Sequence, residues 1–283
     1  PPPATCAMAP DGSALVVCGR LAGKCPRLDT RPWSPQPRAQ WTARGALAPA
    51  GATYQQRSGH LAGQQALAEL SALQEEPAVE DVLGALAGEL ESWRRNPRLA
   101  TQTLSSLARR RRADVAEQVL RCMQAGHVEV NAFHCSAVIT AYEKRGDWRL
   151  ALALLGRMPA MRAAPDVISC NGALSACAKG GQWQLALSLL GRMPASGVAP
   201  DAISCSAAIS ACEKGGEWQL ALVLFGRMPG LRVVPDAISF NAAISACEKE
   251  GQWQPALGLL YAISSAKAEP TVVSYSAAIS ACE

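Results

Sequence analysis

The sequence is poor in aromatic residues, which make up 5% of its 283 positions although apolar residues make up 49%. Alanine and leucine supply most of the difference. Both favour helices, whereas aromatic and β-branched side chains favour strands. No run of about 18 consecutive apolar residues occurs, so the sequence predicts no membrane span. The composition therefore indicates a helical protein and argues against sheet-rich folds and membrane proteins.

Motifs for metal binding and catalysis are also missing. The three histidines, His60, His127 and His134, follow no ligand spacing, and no Cys-x-x-Cys motif occurs among the eleven cysteines. On a helix, Cys170 and Cys177 would lie about 10 Å apart, which is too far for a disulfide. We expect reduced cysteines that fill small core positions. Without a Ser/His/acid set or a phosphate-binding glycine loop, we expect no enzyme, metal, cofactor or small-molecule substrate.

A repeat of 35 residues dominates what is present. The dipeptide Pro-Asp at 165–166 recurs at 200–201 and 235–236. Residues 167–201 and 202–236 are identical at 23 of 35 positions. Four full units follow one another at 132–166, 167–201, 202–236 and 237–271, and residues 272–283 form a truncated unit, which indicates a fragment. A degenerate unit is predicted at 97–131, where Ala116, Leu120 and Met123 match Ala186, Leu190 and Met193.

Each unit has the pattern of two amphipathic helices. In 167–201, Cys170, Ala173, Leu174 and Cys177 follow the i, i+3, i+4, i+7 spacing, and a second stripe begins at Trp183. Glycines separate the two helices and prolines end each unit. Because two helices this short cannot bury a core alone, neighbouring units must stack. The sequence thus predicts an all-α fold, an α-solenoid of stacked helix-turn-helix 35-residue repeats.

The residues before the repeats divide into two parts. Residues 1–60 are basic and proline-rich, which favours either a disordered leader or the remnant of an organellar transit peptide. Residues 61–96 alternate Ala and Leu with Glu, and we expect a helical N-terminal cap for the solenoid. Four consecutive arginines at 109–112 indicate a solvated face or a contact to phosphate.

The segments Val-Ile-Ser-Cys-Asn at 167–171, Lys-Gly-Gly at 179–181, Met193 and Pro200-Asp201 resemble the pentatricopeptide-repeat pattern over about 97–283. The 34-residue tetratricopeptide period does not fit, since it would slip by three residues between Pro165 and Pro270. The resemblance implies binding of single-stranded RNA, with one base recognised per repeat. Tryptophan early in the second helix and Met-Pro at its end depart from the family pattern.

The resemblance also implies roles for individual residues. The base is recognised by the fifth residue of a unit together with its last residue, and the second residue stacks on the base. The base-reading pairs are then Thr101 with Asn131, Ser136 with Asp166, Asn171 with Asp201, Ser206 with Asp236, and Asn241 with Thr271. The base-stacking residues are Phe133, Ile168, Ile203, Ile238 and Val273. The pairing tendencies of the family imply the bases A, G, U, G, and then C or U.

Helix geometry gives independent support. At 100° per residue, the second, fifth, ninth and twelfth residues of a first helix gather on an arc separate from the core stripe. We expect stacking to align these arcs into an open strip, with apolar contact for base rings and hydrogen-bonding groups for base edges. Lysines recur at the C-terminal ends of the first helices: Lys144, Lys179, Lys214 and Lys249. Their charges either interact favourably with the helix dipole alone or also contact phosphates.

Two simpler interpretations stay open. Asp166, Asp201 and Asp236 precede helices and would serve as N-caps whatever the function. Residues 132–283 carry a net charge of only +1, so a protein–protein scaffold remains the alternative to RNA binding. Our prediction is non-catalytic RNA binding that supports organellar RNA processing, stability or translation, with chloroplast favoured over mitochondrion, and with protein partners as further candidates.

Overall fold

A computed structural model of the chain describes residues 66–74, 77–265 and 269–283. The regular secondary structure in these residues consists of helices joined by turns and loops, with no strand. The predicted all-α solenoid is therefore confirmed. Within the same residues, no helix has the length and apolar character needed to cross a membrane. The leader predicted at 1–60 lies outside the described residues.

Helix pairs follow the repeat. Residues 66–72 are helical, and two short helices come next, α1 (Val79–Leu86) and α2 (Leu90–Arg95). The pairs are α3 (Pro97–Arg109) with α4 (Ala113–Ala125), α5 (Ala132–Arg145) with α6 (Trp148–Arg157), α7 (Val167–Lys179) with α8 (Trp183–Arg192), α9 (Ala202–Lys214) with α10 (Trp218–Arg227), and α11 (Ala237–Lys249) with α12 (Trp253–Ser265). The last helix is α13 (Val272–Ser280).

The first helices from α5 onward share one kind of start. A side chain immediately before each helix accepts a hydrogen bond from the backbone N–H three residues later, as Asp166 Oδ1 does from Ser169 N at 2.8 Å. The N-cap residues are Asn131, Asp166, Asp201, Asp236 and Thr271. Capping is confirmed at Asp166, Asp201 and Asp236, where it was predicted from the sequence, and is also found at Asn131 and Thr271. Each cap satisfies a backbone donor that the helix itself leaves unpaired.

The loops between helices use residues that tolerate a left-handed backbone. Gly181 follows α7 with φ +64°, which allows the sharp reversal into α8. After α8, Pro194 starts a one-turn 3₁₀ helix that Gly197 ends with φ +75°. The first turn reverses the chain within a unit, and the second leads the chain toward the next unit.

Stacking of the first helices builds the core. Each first helix packs against the first helix of the next unit, and each second helix packs against its own first helix and that of the following unit. The predicted stripe on α7, from Cys170 to Cys177, is buried throughout. Trp148 of one unit closely covers Gly180 of the next, where an added Cβ would lie 2.5 Å from Trp148 Cδ1. A side chain larger than hydrogen at position 180 would therefore require Trp148 to shift.

The arginine run at 109–112 does not behave as one surface. Arg112 donates hydrogen bonds to the carbonyl oxygens of Leu73 at 2.9 Å and Gln74 at 2.8 Å, and Arg110 donates to the hydroxyl of Ser71. These two side chains fasten the segment at 66–74 to the first helix pair. The prediction of a solvated or phosphate-binding face was wrong for Arg112, whose guanidinium group satisfies the carbonyls of a helix end, whereas Arg109, Arg110 and Arg111 are exposed.

Candidate nucleic-acid interface

The second residues of the units stand exposed along the stacked first helices. Apolar side chains with more than half of their surface exposed recur at every unit from 132 onward: Phe133 (61%), Ile168 (57%), Ile203 (57%), Ile238 (63%) and Val273 (54%). Isolated exposed apolar residues are common, but a row of them at a fixed structural position forms a continuous ridged surface. We call this surface, with the fifth and last residues between its ridges, the first-helix strip.

The fifth residues lie deeper than the sequence indicates. Ser136, Asn171 and Ser206 are only 6%, 9% and 7% exposed, whereas Thr101 and Asn241 are partly exposed. The expectation of a fully open arc was therefore wrong for the three central units. Stacking of the next first helix covers these side chains, which form the floor of the strip between exposed apolar ridges.

Two of the predicted base-reading pairs are joined by direct hydrogen bonds from asparagine. Asn171 Nδ2 donates to Asp201 Oδ1 at 3.1 Å and Oδ2 at 3.2 Å, and Asn241 Nδ2 donates to Thr271 Oγ1 at 3.1 Å. Each bond spans 30 residues of sequence and joins the start of one first helix to the start of the next. In each of these two units, the fifth residue and the last residue therefore form one hydrogen-bonded pair.

The serine-containing pairs are looser. Ser136 Oγ donates mainly to Ala132 O at 2.7 Å and reaches Asp166 Oδ1 only at 3.4 Å. Ser206 Oγ donates to the carbonyl of Ile203 at 3.1 Å, and the described residues show no hydrogen bond between its side chain and Asp236. Thr101 likewise donates to the carbonyl of Pro97 at 3.3 Å, without a bond to Asn131. The aspartates beside serine thus keep more free acceptor capacity than the aspartate beside asparagine.

Serine three residues after the cap holds the asparagine amides in place, a role that sequence reasoning missed. Ser204 Oγ donates to Asn171 Oδ1 at 2.5 Å, and Ser274 Oγ donates to Asn241 Oδ1 at 2.5 Å. The only sequence signal is a serine at the third position of each unit from 167 onward, and a residue there can equally well take part in helix capping. The hydrogen bonds across units fix which way each amide faces.

His134 replaces that serine in unit 132–166 and is fully buried. Its Nδ1 accepts a hydrogen bond from the backbone N–H of Asn131 at 3.2 Å, and its Nε2 donates to the carbonyl of Pro97 at 3.0 Å. Burial lowers the pKa of the imidazole, against a smaller opposite effect of the Pro97 carbonyl. The neutral ring therefore links the degenerate unit 97–131 to the unit that follows it.

The lysines at the ends of the first helices fall into two classes. Lys179 Nζ lies 3.0 Å from Glu143 Oε1, and Lys249 Nζ lies 2.9 Å from Glu213 Oε1 of the preceding unit. Lys144 and Lys214 are exposed and form no ion pair with any described residue, since alanine occupies the corresponding position before them, at Ala108 and Ala178. The predicted phosphate contacts would thus come most readily from Lys144 and Lys214.

Cysteines contribute to packing and not to the strip. The described cysteines are free thiols, all buried except Cys282. Burial raises the pKa of Cys177, Cys205 and Cys212 to about 11, so these thiols stay protonated near neutral pH. Across residues 66–74, 77–265 and 269–283, no group of three His, Cys, Asp or Glu side chains is arranged to hold a metal ion.

Comparison with known proteins places the chain in a family. A family profile described as pentatricopeptide repeat-containing protein matches residues 98–228, and one described as PPR repeat matches residues 238–265. Together they cover more than half of the chain. No match is found among curated protein sequences.

Solved structures show the same fold. The PPR domain of Arabidopsis thaliana protein-only RNase P 1, in complex with tRNA, is 13% identical and superposes with a TM-score of 0.54, over 63% of this chain and 94% of that domain. The pentatricopeptide repeat protein PPR10, in complex with an 18-nt psaJ RNA element, is 22% identical with a TM-score of 0.59, over 83% of this chain. The match covers 35% of PPR10, so this chain spans about a third of that protein. With its helix pairs recurring every 35 residues, this chain belongs to the pentatricopeptide-repeat family.

Proposed function

We propose that the chain binds single-stranded RNA along the first-helix strip and recognises one base per repeat. The observation that carries this proposal is the alternation, at a fixed 35-residue step, of an exposed apolar side chain with a polar pair beneath it. An apolar ridge offers contact to a base ring, and the polar floor offers donors and acceptors to its edge. Two solved relatives of the same fold are complexes with RNA, which supports the assignment.

Burial of the fifth residues limits how they can act. The side-chain amide of Asn171 already donates to Asp201 through Nδ2 and accepts from Ser204 through Oδ1. Asp201 Oδ2 accepts only from Asn171, so it keeps acceptor capacity for the N–H of a base. Recognition would then work through the pair as a unit: the fifth residue orients the last residue, which lies closer to solvent.

Selection from a random pool of single-stranded RNA tests this proposal. We expect enrichment of a G-U-G core, whose middle base shifts toward G in the Asn171→Ser variant because that change copies the pair found in unit 202–236. Gln184→Ser, a comparable change on an exposed second-helix position, should leave the selected sequence unchanged. RNA binding without enrichment of any sequence would contradict one-base recognition and would leave a non-specific RNA-binding protein.

A protein–protein scaffold is the second candidate, and one observation favours it. An apolar groove of about 770 Å³ lies between α8 and α10, away from the first-helix strip, with Leu187, Leu220 and Val223 among its lining residues. Val223 is 55% exposed although it is apolar. A chain that binds no RNA at low salt, yet loses a protein partner on Val223→Glu substitution, would support this alternative.

The biological setting follows from the RNA-binding proposal. We propose that the chain acts without catalysis, in processing, stabilising or translating organellar transcripts, with the chloroplast favoured over the mitochondrion. The basic, acid-poor segment at 1–60 supports an organellar address. Fluorescence microscopy of the tagged chain checks this, and a cytosolic signal would contradict it.

A further inference from the structure

The row of first helices begins at α3. Helix α1 packs against the second helix α4, and α2 leads directly into α3. Among the described elements, no first helix stacks on the other side of α3. The first-helix strip therefore has an end at unit 97–131, and a base held between units 97–131 and 132–166 would be the last one that the described strip can hold.

A pocket of about 850 Å³ occupies this end of the strip, and its lining differs from that of the later units. Residues from α3 line one side, and Asn131 and Phe133 line the other. Arg98 takes the place of the apolar second residue, and Arg109 takes the place of the lysine at the helix end. Gln102 lies where the later units have alanine or glycine. Compared with the later units, the degenerate unit thus departs from the repeat consensus and carries additional hydrogen-bond donors on this face.

The charge of the pocket is uncompensated. Arg98 and Arg109 are exposed, and neither guanidinium group forms an ion pair with any residue in the described part of the chain. No acidic residue lines the pocket. Lys179 and Lys249, by contrast, already face a glutamate of the preceding unit. The α3 end of the strip therefore carries two unpaired positive charges, whereas the later units carry at most one each, at Lys144 and Lys214.

The donors form one stripe along α3. Arg98, Gln102, Ser105 and Arg109 follow the i, i+4, i+7, i+11 spacing and span about 16 Å along the helix axis. The exposed ring of Phe133 stands beside the Arg98 end. A base stacked on Phe133 would place its own phosphate along the stripe, toward Ser105 and Arg109, where arginine can bind phosphate oxygens in a bidentate manner.

We propose that this pocket binds the phosphorylated end of an RNA strand. The inference rests on the proposed function, since it assigns a terminal nucleotide to the end of the same strip. A terminal phosphate monoester carries between one and two negative charges and three acceptor oxygens, more than a phosphodiester within the strand. The unpaired guanidinium group of Arg109 and the hydroxyl of Ser105 match that chemistry, and Arg98 at the other end of the stripe adds positive charge near the base. The base of the same nucleotide stacks on Phe133.

Fluorescence anisotropy with four labelled forms of one oligonucleotide tests the proposal. The probes are the RNA A-G-U-G-U with a 5′ monophosphate, a 3′ monophosphate, both, or neither, measured at about 50 mM salt with the full chain. We expect one of the two monophosphates to strengthen binding about tenfold over the unphosphorylated RNA, in line with charge-assisted hydrogen bonds. The two single-phosphate arms show which end of the strand enters the pocket.

Variants assign the effect to the pocket. In the Arg98→Ala/Arg109→Ala double variant, the ratio of affinities for phosphorylated and unphosphorylated RNA should fall close to one. Arg192→Ala, an exposed arginine on a second helix, should keep the tenfold ratio. Circular dichroism and thermal unfolding establish that each variant is folded. Equal affinities for all four probes in the unmodified chain would overturn the proposal while leaving RNA binding intact, and no binding of any probe would overturn the proposed function as well. A phosphate effect that survives in the double variant would place the end-binding site elsewhere.

Discussion

Asn171 donates its side-chain amide to both carboxylate oxygens of Asp201, which lies 30 residues later and caps the first helix of the next unit. One carboxylate therefore serves two purposes. It satisfies the backbone at the start of α9, and it forms the polar floor beneath Ile168 and Ile203. This double use explains why the sequence pattern alone leaves capping and base recognition indistinguishable.

Substitutions at Asp201 separate these two roles. Asp201→Asn keeps a good N-cap, so we expect the thermal midpoint to stay nearly unchanged while the preferred base at that unit changes. Asp201→Ala removes the cap and leaves the buried Asn171 amide without its partner, which should cost about 1–2 kcal/mol of unfolding free energy. Urea unfolding measures the second effect, and RNA selection measures the first. An unchanged base preference in the asparagine variant would reduce Asp201 to a capping residue.

Glycine substitutions test how the units pack. An alanine at Gly180 would press against Trp148, so Gly180→Ala should destabilise the chain by about 1–3 kcal/mol. Gly191, in the exposed last turn of α8, has nothing within 4 Å of an added Cβ, so Gly191→Ala should stabilise the chain by up to about 1 kcal/mol. Chemical denaturation of both variants provides the comparison. Equal effects of the two substitutions would contradict the packing of Trp148 over Gly180.

The lysines should differ in their contribution to RNA binding. Lys144→Ala and Lys214→Ala should each weaken binding and reduce the slope of log affinity against log salt by about one, because each removes an unpaired cation. Lys179→Ala should do less, since Glu143 already neutralises that charge. The converse variant Glu143→Gln should strengthen RNA binding. Affinity measured between about 50 and 200 mM salt tests all four variants. Identical slopes would show that the ion pairs open when RNA binds.

The stability of the chain should depend on pH through His134. Its pKa in the folded protein lies below the ordinary value of 6.5 because of burial, so the folded state favours the neutral ring. The stabilising contribution is therefore complete above pH 6.5 and is lost as the pH falls through that value toward the lowered pKa. Protonation of Nδ1 would also remove the acceptor for the Asn131 N–H.

A thermal-unfolding series at decreasing pH measures this effect, with His134→Ser as the control because serine occupies the position in the units from 167 onward. We expect the thermal midpoint of the variant to change less with pH over the range in which imidazole titrates. The carboxyl of Glu117 does not interfere in that range. Burial raises its pKa, but hydrogen bonds from Tyr142 and Arg121 outweigh burial and hold that pKa below 4.5. A midpoint of the unmodified chain that does not change from about pH 7 to 5 would contradict the role of His134.

Much of the fold followed from the sequence because it depends on local rules. The 35-residue step, the paired helices and the caps at Asp166, Asp201 and Asp236 were all predictable, since helix periodicity and capping act within a few residues. The exposed second residues were equally accessible, as Ile168 and Ile203 fall off the core stripe. The face of the solenoid that offers apolar contacts was therefore identifiable from the helix periodicity of the amino-acid sequence.

The depth of the fifth residues, the division of the lysines and the pocket at α3 were decided only by the tertiary structure. Ser206 is covered because the next first helix stacks over it, and Lys179 is neutralised because Glu143 lies one unit away. The arginines at 109–112 separate because the segment at 66–74 folds back onto two of them. The amino-acid sequence determined each unit and its period, since both arise from neighbours along the chain. Which side chains are exposed and which polar groups are unpaired depends on how one unit packs against the next, because those contacts join residues far apart in the sequence.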